Sequence, residues 1–165
     1  MPKNDDDILA DEIGKWGAKG ARIGASIEKR IGGASIGRIG ETAGALGGAL
    51  GGRFGAKLLP TDTRENSFDV AARPASVLSA ATGILNAEGK LLSTEETSGS
   101  FAVKGLTHAG FFKLNPAIVI VSIMAVSEHK TRIRIQSKAK EGLIKQHTAE
   151  QALQRVTQLL KDRLK

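Results

Sequence analysis

The sequence predicts an α+β protein: a glycine-rich N-terminal helical hairpin, followed by an antiparallel sheet with two helices on one face in the order β-α-β-β-β-β-α. Three observations predict it. Of the 20 glycines, 14 fall before Pro60, at helical spacing and beside large aliphatic residues. Beyond about residue 66, several segments alternate apolar and polar residues with the two-residue period of strands. Two more segments repeat their apolar residues every three or four positions, as amphipathic helices do. The expected division is 1–60 for the hairpin, 61–66 for a linker and 67–165 for the α+β domain.

In the first segment, Leu9, Ile13, Trp16, Gly20, Ile23 and Ile27 mark one face of a helix over roughly residues 6–30. Asp5, Asp6 and Asp7 stand at its N-terminus, where the helix dipole favours negative charge. Ile36, Ile39, Ala43, Leu46, Leu50, Phe54 and Leu58 mark a second helix over roughly 34–58, with Gly32-Gly33 as the turn. Gly33, Gly37, Gly40, Gly44, Gly48, Gly52 and Gly55 advance by three or four, and Gly47, Gly51 and Gly55 form a second row. A flexible linker would pair glycine with serine rather than with isoleucine and leucine. Each interior glycine costs about 0.8–1 kcal/mol relative to alanine, so the nine from Gly33 to Gly55 cost about 8 kcal/mol. That is the order of a small domain's whole stability. The second helix therefore needs a partner helix, and glycine permits the close backbone approach that would supply one.

The run Gly40-x-x-x-Gly44-x-x-x-Gly48-x-x-x-Gly52 resembles the glycine-zipper families. The resemblance covers about 45 residues at the N-terminus and implies helix association, often in a membrane, among proteins that include pore-forming ones. It makes Gly33, Gly37, Gly40, Gly44, Gly47, Gly48, Gly51, Gly52 and Gly55 the candidate oligomerisation or membrane face. The charge load departs from that pattern, with Arg38, Glu41, Arg53 and Lys57 on the second helix. The longest stretches without Asp, Glu, Lys or Arg, Pro74–Ala87 and Leu114–Ser127, have 14 residues each, and Thr42–Gly52 in the glycine-rich part has 11, all short of the ~18–20 a lone spanning helix needs. A pore would have to be assembled from several chains.

In the C-terminal part, Phe68, Val70 and Ala72 alternate as a short strand, and Pro74 opens a helix whose face is Val77, Leu78, Ala81, Ile84 and Leu85, closed by Gly89. Strands follow at about 90–97 and 100–107 around the Ser98-Gly99 turn, and Phe111-Phe112 belong to a loop or a further edge. Residues 117–126, apolar on both faces, read as a central buried strand. From Lys130 to Lys140 the even positions Lys130, Arg132, Arg134, Gln136, Lys138 and Lys140 are polar or basic, while Ile133, Ile135 and Ala139 hold the odd face. A capping box of Thr148 with Gln151 then starts a helix along Ala149, Ala152, Leu153, Val156, Leu160 and Leu164. In architecture this order is similar to the helix-on-sheet domains of the TATA-binding-protein-like class, which implies a fold and no activity.

Chemistry is sparse. There is no cysteine, hence no disulfide framework or thiolate metal site. A phosphate loop ending at Lys57 would have Gly51 in place, but Ala56 stands where a glycine is required and Leu58 where a hydroxyl is required. No two glycines are separated by a single residue, which excludes the dinucleotide-binding fingerprint. His108, His129 and His147 are too widely spaced for a local metal pair. The expectation is a non-enzymatic protein with no cofactor, no metal and no small-molecule substrate.

The formal net charge is +7. Lys130, Arg132, Arg134, Lys138 and Lys140 either keep an outer strand soluble or bind an anionic partner, a membrane surface before nucleic acid. Nucleic acid is the weaker partner because no aromatic residue interleaves with these cations. The chain opens Met1-Pro2-Lys3-Asn4-Asp5-Asp6-Asp7, unlike a secretory signal, so the expected location is cytoplasmic or peripheral to a membrane. The expected function is membrane association and self-assembly through the glycine helices, pore formation included. A soluble scaffold that oligomerises or docks a partner through the same helices is the alternative, and nucleic-acid binding by the basic strand the third.

Overall fold

The computed structural model describes residues 3–31, 38–109, 115–142 and 146–165, with the helical backbone alone for 20–31 and 38–46. The chain divides into two compact units, Met1–Pro60 and Thr61–Lys165. The first holds helices α1 (Asp5–Ile31) and α2 (Arg38–Leu58). The second holds β1 (Thr61–Val70), α3 (Pro74–Glu88), β2 (Gly89–Thr97), β3 (Ser100–Ala109), β4 (Asn115–Ser127), β5 (Lys130–Lys140) and α4 (Thr148–Arg163). The protein is α+β, with a five-stranded antiparallel sheet and four helices.

In the first unit Asn4 caps α1, its Oδ1 accepting from the Asp7 N–H at 2.7 Å. Asp5, Asp6 and Asp7 fill the first turn. The helices run antiparallel: Asp7 pairs with Lys57 at 2.9 Å and Asp11 with Arg53 at 2.6 Å. One to two turns beyond these charges the backbones nearly touch. A Cβ at Gly14 would lie 2.9 Å from the Ala49 carbonyl oxygen, and one at Gly17 would overlap the Gly48 carbonyl. The first helix therefore contributes Gly14 and Gly17 to the contact too, although the candidate contact glycines named from the sequence all lie from Gly33 onward. Ala10 and Ala56, which continue the two small-residue rows by one turn, are buried.

The second unit orders its strands β1-β5-β4-β3-β2, with β1 and β2 at the edges. Residues 61–66, expected as a linker, are instead the first half of β1, paired from Thr61↔Lys140 to Asn66↔Ile135. They carry no apolar alternation because the strand is an edge whose early residues are mostly exposed. The Ser98-Gly99 turn has φ of 46° and 82°, the left-handed geometry that two-residue hairpins between twisted strands favour. Phe111-Phe112 lie outside the described residues.

One face of the sheet makes the core. Val103, Val119, Val121, Ile123, Ile133 and Ile135 point at α3 and α4, whose Val77, Leu85, Val156 and Leu160 complete it. Gly105 lets α3 approach β3, since a Cβ there would meet Leu85 at 3.0 Å. Arg155 of α4 grips Glu88 at the end of α3 through both its Nε and Nη2.

The start of α4 corrects one expectation. No capping box forms: the N-cap residue is His147, in the left-handed region at φ 53°, without a side-chain cap, and Gln151 Nε2 donates to the Gln146 carbonyl. The cap comes from the end of β5. Glu141 is buried and its carboxylate accepts from the backbone N–H of Gln146 and of Thr148, each at 2.8 Å. A carboxylate satisfies these orphan donors better than a hydroxyl would, because its charge also meets the positive end of the helix dipole.

Candidate functional site

The glycines of α2 separate into two faces. Gly48 and Gly52 are spent on α1: the Gly48 carbonyl faces Gly17, and a Cβ on Gly52 would lie 3.4 Å from the Gly14 Cα. Gly47, Gly51 and Gly55 look the other way, with nothing within 4 Å of a Cβ built on any of them. The row that appeared continuous from Gly48 through Gly52 to Gly55 thus breaks, because a step of three residues turns 60° away from a full turn. Gly33 and Gly37 lie outside the described residues, as do the surroundings of Gly40 and Gly44.

On the open side, Leu50, Phe54 and Leu58 are 53%, 67% and 87% exposed. They alternate with the three open glycines at i, i+3, i+4, i+7, i+8 and i+11, so all six residues share one helix face. Ridges of leucine and phenylalanine beside glycine grooves are the relief that a second helix packs into. Among the described residues, no helix is long and apolar enough to cross a membrane.

The second candidate is the cation row on β5. Lys130, Arg132, Arg134, Lys138 and Lys140 do stand on one face, opposite the buried Thr131, Ile133, Ile135, Ser137 and Ala139. What the sequence pattern did not reveal is their neighbour. Edge strand β1 brings Asp69 level with Arg132 and places Glu65 beside Arg134. Arg132 holds Asp69 at 2.8 and 3.3 Å, and Lys130 adds a third contact at 3.1 Å. Arg134 holds Glu65 at 2.6 and 2.7 Å. Lys130, Arg132 and Arg134 are therefore already engaged within the sheet. The signal was present in the alternation of Glu65, Ser67 and Asp69, but it could be read only with 61–66 recognised as strand.

These pairs set local acidity. The Arg132 hydrogen bond, reinforced by Lys130, lowers the Asp69 carboxyl from 3.8 to about 2, and Arg134 likewise depresses Glu65. A depressed carboxylate pKa means that the pairing contributes above the ordinary value and is lost as pH falls through the folded one. The Asp69 carboxyl signal in NMR is expected to titrate near pH 2, its contribution fading between about pH 4 and pH 2. Arg132→Gln should return the midpoint towards 3.8. An unchanged midpoint in that variant would show that the ion pair does not form.

Among the described residues no group of three or more His, Asp or Glu gathers as a metal site would require. On the face of the sheet opposite α3 and α4 a groove of about 560 Å³ opens beside Arg132 and Arg134, with Ser122, Ala102 and Met124 beneath it and Glu95 on the far side.

Two units, an antiparallel helix pair with an exposed glycine-and-apolar face and a helix-on-sheet α+β body, define the class. No protein-family model matches the chain, and no curated protein matches it. Solved structures that share part of its architecture include a START superfamily protein from Mycobacterium smegmatis, at 7% identity and a TM-score of 0.38, covering 62% of this chain and 96% of that one. A hypothetical protein from Helicobacter pylori is similar at 9% identity and a TM-score of 0.39, covering 66% and 87%. A norcoclaurine synthase point mutant from Thalictrum, in complex with a transition-state analogue, is similar at 8% and 0.32, covering 63% and 96%. The functional reading rests on the chain's own residues.

Proposed function

We propose that the chain is a non-enzymatic, self-assembling protein of glycine-zipper type, in which α1 and α2 form a helical hairpin and the outer face of α2 receives a second copy. The observation that carries this is the exposure of Leu50, Phe54 and Leu58 between three glycines with open space above them. Within the hairpin, Gly48 and Gly52 serve the contact with α1; Gly47, Gly51 and Gly55 serve none. The face is self-complementary, as a two-fold contact requires, because each copy offers both ridge and groove.

Magnitudes bound the assembly. Burying a Leu or Phe side chain yields about 1.5–3 kcal/mol, so three from each of two copies supply about 9–18 kcal/mol. Association itself costs about 4–15 kcal/mol. The surplus is small enough that a surface concentrating the chains would matter, and this favours a second reading. Leu50, Phe54 and Leu58 form an exposed apolar strip of the kind that lies in a membrane interface, although Arg53 and Lys57 beside it are paired with Asp11 and Asp7. The nucleic-acid reading loses ground, since Glu65 and Asp69 already occupy Arg134, Arg132 and Lys130.

Sedimentation in buffer is expected to show a defined oligomer for the wild type and a monomer for Gly51→Leu combined with Phe54→Glu. A wild-type monomer in buffer that floats with anionic liposomes, with or without dye release, would move the function to the membrane reading. A monomer that does neither would end both.

A further inference from the structure

The groove on the face of the sheet opposite α3 and α4 is lined by the second unit alone, and its chemistry is specific. Strand pairing runs one row of outward side chains across all five strands: Ser67, Arg134, Ser122, Ala102 and Glu95, each level with the next. The adjoining row holds Asp69, Arg132, Met124, Ser100 and Thr97. The groove exists because Ser122 on β4 and Ala102 on β3 are small, while Arg134 and Glu95 on either side of them are long and charged.

Both arginines are orientated. Arg132 and Arg134 each meet their carboxylate through Nε and Nη2, and this side-on pairing fixes the plane of the guanidinium. A guanidinium carries five N–H donors, and among the described residues neither Nη1 is engaged, so two arginines two residues apart each keep a donor for a further anion. Across the groove, Glu95 is exposed, and its interaction among the described residues is one 3.3 Å hydrogen bond from Ser93 Oγ. Anion-accepting and cation-accepting ends are thus separated by a floor of methyl, thioether and hydroxyl groups.

We infer that this groove binds a short peptide lying across the strands, with its C-terminal carboxylate on Arg132 and Arg134 and its N-terminal ammonium on Glu95. The charges decide against a simple anion. Three carboxylates, Glu65, Asp69 and Glu95, balance Lys130, Arg132 and Arg134, so the groove carries no net positive field, and a ligand of both charges fits where a polyanion does not. Length follows from sheet geometry. Glu95 and Arg134 stand three strand spacings apart, about 14 Å. Allowing about 3 Å for the hydrogen bond at each end leaves about 8 Å, the reach of two or three extended residues. Met124, 52% exposed on the floor, offers apolar contact to a central side chain.

The test is a titration of the full isotope-labelled chain with the tripeptide Ala-Leu-Ala to about 20 mM, the range suited to a weak site. Amide shifts are expected at Ala102, Ser122, Arg132, Arg134 and Glu95, saturating with one binding constant. The C-amidated and the N-acetylated tripeptide should each bind at least fivefold more weakly. Glu95→Gln, an exposed change, should weaken the free peptide and leave its N-acetylated form unaffected, which separates loss of the ammonium contact from loss of fold. Equal binding of free and blocked peptides would overturn the assignment, as would shifts confined to other residues. Phosphatidylcholine vesicles form a separate arm: shifts in the groove with vesicles and none with peptide would also overturn it. None of these outcomes depends on the oligomeric state.

Discussion

Gly17→Leu is expected to detach α2 from α1. Even a methyl group at Gly17 would overlap the Gly48 carbonyl oxygen, which belongs to backbone and cannot rotate away as a side-chain end could. Overpacking of this kind costs about 3 kcal/mol. The helix it strikes has little in reserve, because the seven glycines of α2 already cost about 6–7 kcal/mol relative to alanine. Hydrogen exchange should show α2 amides losing protection while β4 and β5 keep theirs. Gly51→Ala in the same helix should change stability in the opposite direction, a gain of about 1 kcal/mol, since nothing lies within 4 Å of the added methyl. If both substitutions shift exchange in the same direction, the division of α2 into a packed and an open glycine face is wrong.

Glu141→Ala should cost the second unit about 3 kcal/mol. The carboxylate is buried at the start of α4 and accepts two backbone N–H bonds at 2.8 Å, and hydrogen bonds to a charged group are worth about 1.5–3 kcal/mol each. Removing it leaves the N–H groups of Gln146 and Thr148 without an acceptor. Glu141→Gln keeps one acceptor oxygen and should lose about half as much. Urea unfolding followed through α4 amides would measure both, and Thr148→Ala serves as the contrast, since its hydroxyl is not the cap. A larger loss from Thr148→Ala than from Glu141→Ala would return the cap to the threonine.

The difference between the predicted and observed caps illustrates how much was legible. A capping box is a local pattern, and Thr148 with Gln151 satisfies it in spelling. The group that takes its place is seven residues upstream, at the end of a strand, and only the packing of α4 onto β5 brings it there. The same holds for the neighbouring edge strand, β1. Residues 61–66 show no apolar alternation, so their strand character comes from pairing with β5 rather than from their own pattern.

By itself, the sequence determined the α+β class, the order of strands and helices in the second unit, and which side of β5 is buried. Each of these follows from a period of 2 or 3.6 residues, and periods are properties of neighbours along the chain. Only the tertiary structure decided which glycines of α2 are packed and which are open, which acids meet Arg132 and Arg134, and which side chain caps α4. The first two depend on residues tens of positions apart and the cap on one seven residues upstream, and their approach is set by the way helices and strands pack. The glycine row from Gly48 to Gly55 shows why: 3.6 residues per turn do not divide evenly into steps of three and four, so one written stripe becomes two physical faces once a partner helix takes one of them.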